Sequence, residues 1–109
     1  MNSFSDALKL QRQLNLPRIK LLVDSYHLDM EKEPVENIEL AGADLIHIHT
    51  AELAGRKFPG IGGYDFKPFF SVLKKTGYKG TISVEALSDN FDADIQKSVK
   101  YLTKQFREA

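Results

Sequence analysis

The chain has 109 residues, enough for a single domain. Fifteen acidic residues balance fifteen basic ones, which gives no electrostatic reason to expect capture of nucleic acid or of a membrane surface. No cysteine is present, so disulfides and thiolate metal sites are excluded. No apolar run approaches the ~20 residues that span a bilayer, and "MNSFSDALKL" lacks the basic and long apolar regions of a secretion signal. A soluble, cytoplasmic protein is expected.

In chain order, "SFSDALKLQRQLNLP" places Ala7, Leu8, Leu10 and Leu14 at helical spacing, with Ser3 or Ser5 as N-cap and Pro17 as a stop. "RIKLLVDSYH" is a short branched apolar run, read as a strand ending at Asp24. "EPVENIELAGA" carries Pro34 near a helix start, a periodic Val35, Ile38 and Leu40, and Gly42 at the close. "DLIHIHT" is a second strand. After a glycine-rich loop, "DFKPFFSVLKKTGY" reads as a helix from Asp65 to Gly77. "GTISVEAL" is a third strand ending near Glu85. "DNFDADIQKSVKYLTKQFREA" is a long helix with Ile95, Val99, Leu102 and Phe106 on one face.

Three strands thus alternate with four helices. Alternation of this kind implies an α/β fold of βαβ units around a parallel sheet. The strands are nearly continuous in apolar character, as when both faces are covered.

The polar residues follow this plan. Asp24, His49 and Glu85 each stand at the carboxyl end of an expected strand, and in a parallel sheet those ends share one edge, where ligands bind. Two carboxylates and an imidazole suit Mn²⁺, Mg²⁺, Co²⁺ or Zn²⁺. Taken singly, Asp24 could cap a helix or turn, each histidine could be a hydrogen-bonded structural group, and Glu85 could be a solvated strand-end charge. Three at equivalent strand ends favour a metal site. His47 shares a face with His49 one layer deeper, either as a partner behind the ligand or as a structural imidazole. The glycines and Pro59 shape a loop whose backbone can approach a ligand.

"VDSYHLDMEKEP", "HIHTAELAGRKFPGIGGYDF" and "GYKGTISVEAL" together resemble the xylose isomerase-like (β/α)₈ superfamily, in particular sugar epimerases of the tagatose/psicose 3-epimerase type and related sugar phosphate isomerases. The resemblance runs from about residue 5 to 105. It implies a divalent ion (Mn, Mg or Co ahead of Zn) held by Asp24, His49 and Glu85, with His27 and Arg56 binding substrate oxygens. It also implies that Glu85 is catalytic, one of two glutamates that move a carbon-bound proton through a cis-enediolate. The substrate would be a small sugar or sugar phosphate. The His49-to-Arg56 gap of seven departs from the six of many epimerases; some hydroxypyruvate isomerase relatives share the longer gap but carry glutamine where His49 stands. The endonuclease branch needs more histidines than His27, His47 and His49.

A complete barrel of this type has eight strands and about 250 residues. Residues 1–109 match the carboxyl-terminal part, strands six to eight, and the family's other metal-binding glutamate lies upstream. The isolated chain is therefore expected to be inactive, a remnant or fragment of such a barrel. It is also expected to need a partner for its open sheet edges, by self-association or from a separate amino-terminal half-barrel.

Overall fold

The computed structural model describes residues 3–109. Its first helix, α1 (Phe4–Leu14), starts where Ser3 Oγ accepts a hydrogen bond from Asp6 N at 3.1 Å. It ends at Asn15, which takes the left-handed conformation and returns its N–H to Gln11 O and Arg12 O. Phe4 and Leu8 face the core.

Strand β1 (Leu21–Asp24) passes directly into a short helix, α2 (Ser25–Met30), where the sequence left a capped helix and a turn both open. The Asp24 carboxylate accepts from Tyr26 N at 2.9 Å and so caps the helix that its own strand enters. Val35–Asp44 corrects an expectation: the segment is 3₁₀-helical, and Gly42 breaks it with φ 56° and ψ −131°. Ile38 and Ala41 from this segment are buried.

Strand β2 (Leu45–Thr50) lies between β1 and β3 (Thr81–Val84), and both pairings are parallel. Leu21 pairs with Leu45 and Leu22 with His47, so the β1–β2 register slips by one residue opposite Ile46. Beyond the slip, three rows run across the sheet: Leu22–His47–Thr81, Val23–Ile48–Ile82 and Asp24–His49–Ser83. Side chains alternate between faces, so the apolar middle row points opposite to the other two. Val23 and Ile48 join the core with Phe66, Phe70 and Leu73. The face bearing Leu22, His47 and Thr81 stays accessible, with Leu22 44% exposed.

Helix α3 (Lys67–Thr76) begins one residue later than expected, although Asp65 still accepts from Lys67 N at 3.0 Å. Gly77 ends it in the left-handed conformation. Its aromatic face supplies much of the core: Phe70 lies 5.9 Å from Phe66 and 5.3 Å from Phe106, ring centre to ring centre.

Helix α4 (Phe91–Glu108) is rotated from the sequence expectation. Its buried positions are Ser98, Leu102 and Gln105. Two of these are polar because they satisfy loop backbone: Ser98 Oγ donates to Pro59 O at 2.6 Å, and Gln105 Oε1 accepts from Phe66 N at 2.8 Å. Of the apolar stripe Ile95, Val99, Leu102 and Phe106, Leu102 and Phe106 also pack on the core, and all four border an open groove of about 570 Å³ with Ile82 and Val84 of β3. Val99 is 55% exposed.

Candidate metal centre and its loop

The parallel sheet brings Asp24, His49 and Glu85 together. Asp24 and His49 are direct partners across β1 and β2, and Glu85 follows β3 by one residue, its N–H donating to Thr50 O at 3.1 Å. One possible ligand atom from each of the three lies within 4.8 Å of those of the others. His49 Nδ1 contacts Glu85 Oε2 directly and stands 3.8 Å from Asp24 Oδ2. Exposure increases outward across the group, from 10% for the Asp24 side chain through 24% for His49 to 52% for Glu85.

Arg56 closes over the same group. Its Nη2 lies 3.9 Å from Asp24 Oδ2 and 3.8 Å from Glu85 Oε1, and its guanidinium stacks 4.8 Å above the Tyr26 ring. Gly55 and Arg56 are both left-handed, with φ 71° and 51°, and this double turn aims the arginine back at the sheet end. The Arg56 carbonyl accepts from Leu87 N at 2.8 Å, which ties the loop after β2 to the segment after β3.

His47 lies two rows below His49 on the same face, at 4.9 Å between ring centres. Its Nδ1 pairs with Thr81 Oγ1 at 2.7 Å, and its Nε2 with Ser83 Oγ at 3.3 Å. Both ring nitrogens are thus engaged with β3 side chains, a cross-strand tie on the accessible face. His27 stands apart from the three-residue group. It is exposed on α2, edge-to-face with Tyr26, and borders a separate hollow with Asp24, Leu22 and Glu33.

Three features were hidden from sequence reasoning. Tyr26 forms the stacking floor for Arg56. Tyr64 donates its hydroxyl to Asp29 Oδ2, and burial, aided by that carboxylate, pushes the phenol above its ordinary range, so it stays a donor. Glu52 is only 2% exposed, yet its carboxylate accepts from Gly60 N at 2.8 Å, Gly62 N at 2.7 Å and Tyr64 N at 3.1 Å. An acidic residue three positions after His49, ahead of a glycine-rich stretch, was the available signal.

The donor set fits a divalent ion. Two carboxylates and a nitrogen converge from three strand ends, and three protein ligands leave positions open for water or substrate. Arg56 offsets part of the mutual repulsion of Asp24 and Glu85, and His49 stands between the two carboxylates.

The family model for the xylose isomerase-like TIM barrel matches residues 1–105. The chain is 33% identical to the L-ribulose 3-epimerase of Methylomonas sp. (strain DH-1) over 89 residues, which are 81% of this chain and 31% of that protein. It is 28% identical to the 3-dehydroshikimate dehydratase of Pseudomonas aeruginosa, over 99% of this chain and 20% of that one. The chain therefore spans about a third or less of the length of these relatives. Among solved structures, the D-allulose 3-epimerase from Methylomonas sp. superposes with a TM-score of 0.85 at 25% identity, covering 96% of this chain and 43% of the other. The IOLI protein, solved with a bound zinc atom, superposes with a TM-score of 0.80 at 22% identity over 98% of this chain and 44% of that one. With three parallel strands, helices between them and a match over nearly its whole length, the chain belongs to the xylose isomerase-like TIM barrel family.

Proposed function

We propose that residues 1–109 form the carboxyl-terminal part, strands six to eight, of a divalent-metal-dependent sugar or sugar phosphate isomerase or epimerase of the cytoplasm. The observation that carries this reading is the convergence of Asp24, His49 and Glu85 beneath Arg56 at one end of a parallel sheet. Epimerases among the relatives support the substrate class.

Asp24, His49 and Glu85 would hold the ion, with Mn²⁺, Mg²⁺ or Co²⁺ preferred over Zn²⁺ because two of three donors are hard oxygens. When bound, such an ion supplies Lewis-acid polarisation of a ketose carbonyl and its neighbouring hydroxyl. Glu85 is the most exposed of the three and is the carboxylate assigned to proton transfer at the substrate carbon. Arg56 would donate to a substrate oxygen from the opposite side, where its charge favours an oxyanion. His27 is assigned to a more distal substrate hydroxyl, reached along the β1 side of the mouth.

Inversion at carbon needs a second acid–base group on the other face of the substrate, and no second glutamate accompanies Glu85 at this cluster among the described residues. A second reading follows: a remnant or fragment that binds metal and associates through its open edges but turns nothing over. The exposed Leu22 and Val99 favour it.

Calorimetric titration with Mn²⁺ tests the centre. Micromolar or weaker binding is expected, with Asp24→Asn and Glu85→Gln each weakening it at least about tenfold, the loss of one charged ligand. Equal heats in wild type and Asp24→Asn would remove the metal reading. Fructose, tagatose and psicose should remain unchanged by the purified chain; enzyme-like turnover would show that the chain is catalytically sufficient by itself.

A further inference from the structure

We infer that Glu52 is the positioning residue for Arg56: its buried carboxylate sets the glycine loop, and the loop sets the guanidinium over Asp24 and Glu85. The inference deepens the proposed function, resting on Arg56 as the group that meets a substrate oxygen.

The argument begins with what a buried carboxylate requires. Glu52 has no cationic partner within ion-pair distance among the described residues, and its two oxygens are instead filled by three backbone N–H groups from one loop. A carboxylate offers acceptors only, so it can bind several converging amides that have no carbonyl to pair with. The main chain of Glu52 adds a fourth tie, its N–H donating to Lys57 O at 2.8 Å. Arg56 lies inside the ring closed by that bond.

Close approach depends on glycine. A Cβ on Gly62 would stand 2.5 Å from Glu52 Oε1, so only glycine lets that amide reach the carboxylate. Gly60 has φ +95°, and a Cβ there would meet the Tyr101 ring at 2.9 Å. The outer side of the loop is held by Ser98 at Pro59 O. Pinned from both sides, the loop leaves Arg56 one direction to extend, across Tyr26 toward the two carboxylates. A surface loop rich in glycine would otherwise sample many shapes.

Glutamine at position 52 replaces an acceptor oxygen by an N–H₂ that faces backbone N–H groups. Either the Gly62 bond at Oε1 or the Gly60 and Tyr64 bonds at Oε2 are lost, and the contact on that side becomes repulsive.

The test is nuclear magnetic resonance on the labelled, metal-free chain. In wild type, the Arg56 δ-methylene protons should be shifted upfield by the Tyr26 ring, and the amides of Gly60, Gly62 and Tyr64 should exchange slowly. Glu52→Gln should abolish the Arg56 shift and speed exchange by roughly tenfold or more at Gly62 or at the Gly60 and Tyr64 pair, whichever faces the new N–H₂, while Ile48 stays protected. A role confined to overall stability would lower protection at Ile48 without erasing the Arg56 shift in the folded population. Gly62→Ala keeps the carboxylate but wedges the clamp open, and should reproduce the Arg56 loss; it decides the matter if Glu52→Gln fails to fold. An unchanged Arg56 shift in a folded Glu52→Gln or Gly62→Ala protein overturns the assignment. Mn²⁺ titration of the same samples separates the two ideas: no binding by wild type removes the metal centre, whereas the Arg56 signals judge Glu52 alone.

Discussion

Asp24 uses its two carboxylate oxygens differently, and of its sequence-level readings the structure bears out the helix cap. Oδ1 caps α2 through Tyr26 N, while Oδ2 faces His49 and Arg56. The cap fixes the carboxylate in advance, which would lower the ordering cost of holding the proposed ion. Glu33 shows the same economy at the N-terminus of α1. Its oxygens accept from Phe4 N at 2.8 Å and Ser5 N at 2.9 Å, and Asn37 Nδ2 lies 3.0 Å away. Burial would raise its pKa, but the hydrogen bonds from Asn37 and the two amides outweigh that, and the carboxyl is held below its ordinary value of 4.5. A pKa lower in the folded than in the unfolded state means that this stabilisation is fully present above the unfolded value and disappears as pH falls through the folded one. Urea midpoints should therefore fall on acidification below about pH 4.5. Glu33→Gln should lose about 1 kcal/mol at neutral pH and show a shallower acid limb. A parallel acid limb in the variant would assign the slope to other carboxylates.

At the scale of elements, helix α4 decides how the core is arranged. Its apolar stripe at 95, 99, 102 and 106 suggested one buried face, yet Ser98, Leu102 and Gln105 turn inward because loop backbone groups demand partners there. Two substitutions distinguish these arrangements. Phe70→Ala removes a fully buried ring packed among Phe66, Phe69 and Phe106, and should cost about 3–5 kcal/mol in urea denaturation. Val99→Ala removes a side chain that is 55% exposed, and should change stability by no more than about 0.5 kcal/mol. Similar losses at the two positions would contradict the rotated placement of α4.

At the scale of the molecule, the sheet formed by the described residues has two free edges. Among those residues β1 and β3 each pair on one side only, and the groove between β3 and α4 is lined by Ile82, Val84, Ile95 and Val99. The radius of gyration is 14.0 Å, against roughly 13 Å for a compact domain of this length, with a long axis of 43 Å. Unpaired parallel strands beside apolar surface are a site for association. Self-association is expected by light scattering at tens of micromolar, and Val99→Lys, which puts a charge into the groove, should shift the mass toward monomer. A clean monomer for wild type would count against this expectation. No described helix is long and apolar enough to cross a membrane.

Periodicity and chemistry of neighbouring residues were enough to determine the three strands, α1, α3, the span of α4 and the parallel order, because caps, apolar runs and glycine stops act over a few positions. From the parallel order it followed that Asp24, His49 and Glu85 would share an edge, and their atoms lie within reach of one another. Tertiary structure alone decided the rest. Helix α2 has six residues, too few for a periodic signal, so local pattern left a helix and a turn after Asp24 both open. Segment 35–44 tightened to 3₁₀ geometry with Ile38 and Ala41 in the core. The Glu52 clamp depends on amides eight to twelve residues away that meet its carboxylate only once the loop has folded. Local pattern records what a residue prefers; which partner satisfies a buried polar group is settled by the packing of distant segments, and that is where Arg56 acquires its place over the two carboxylates.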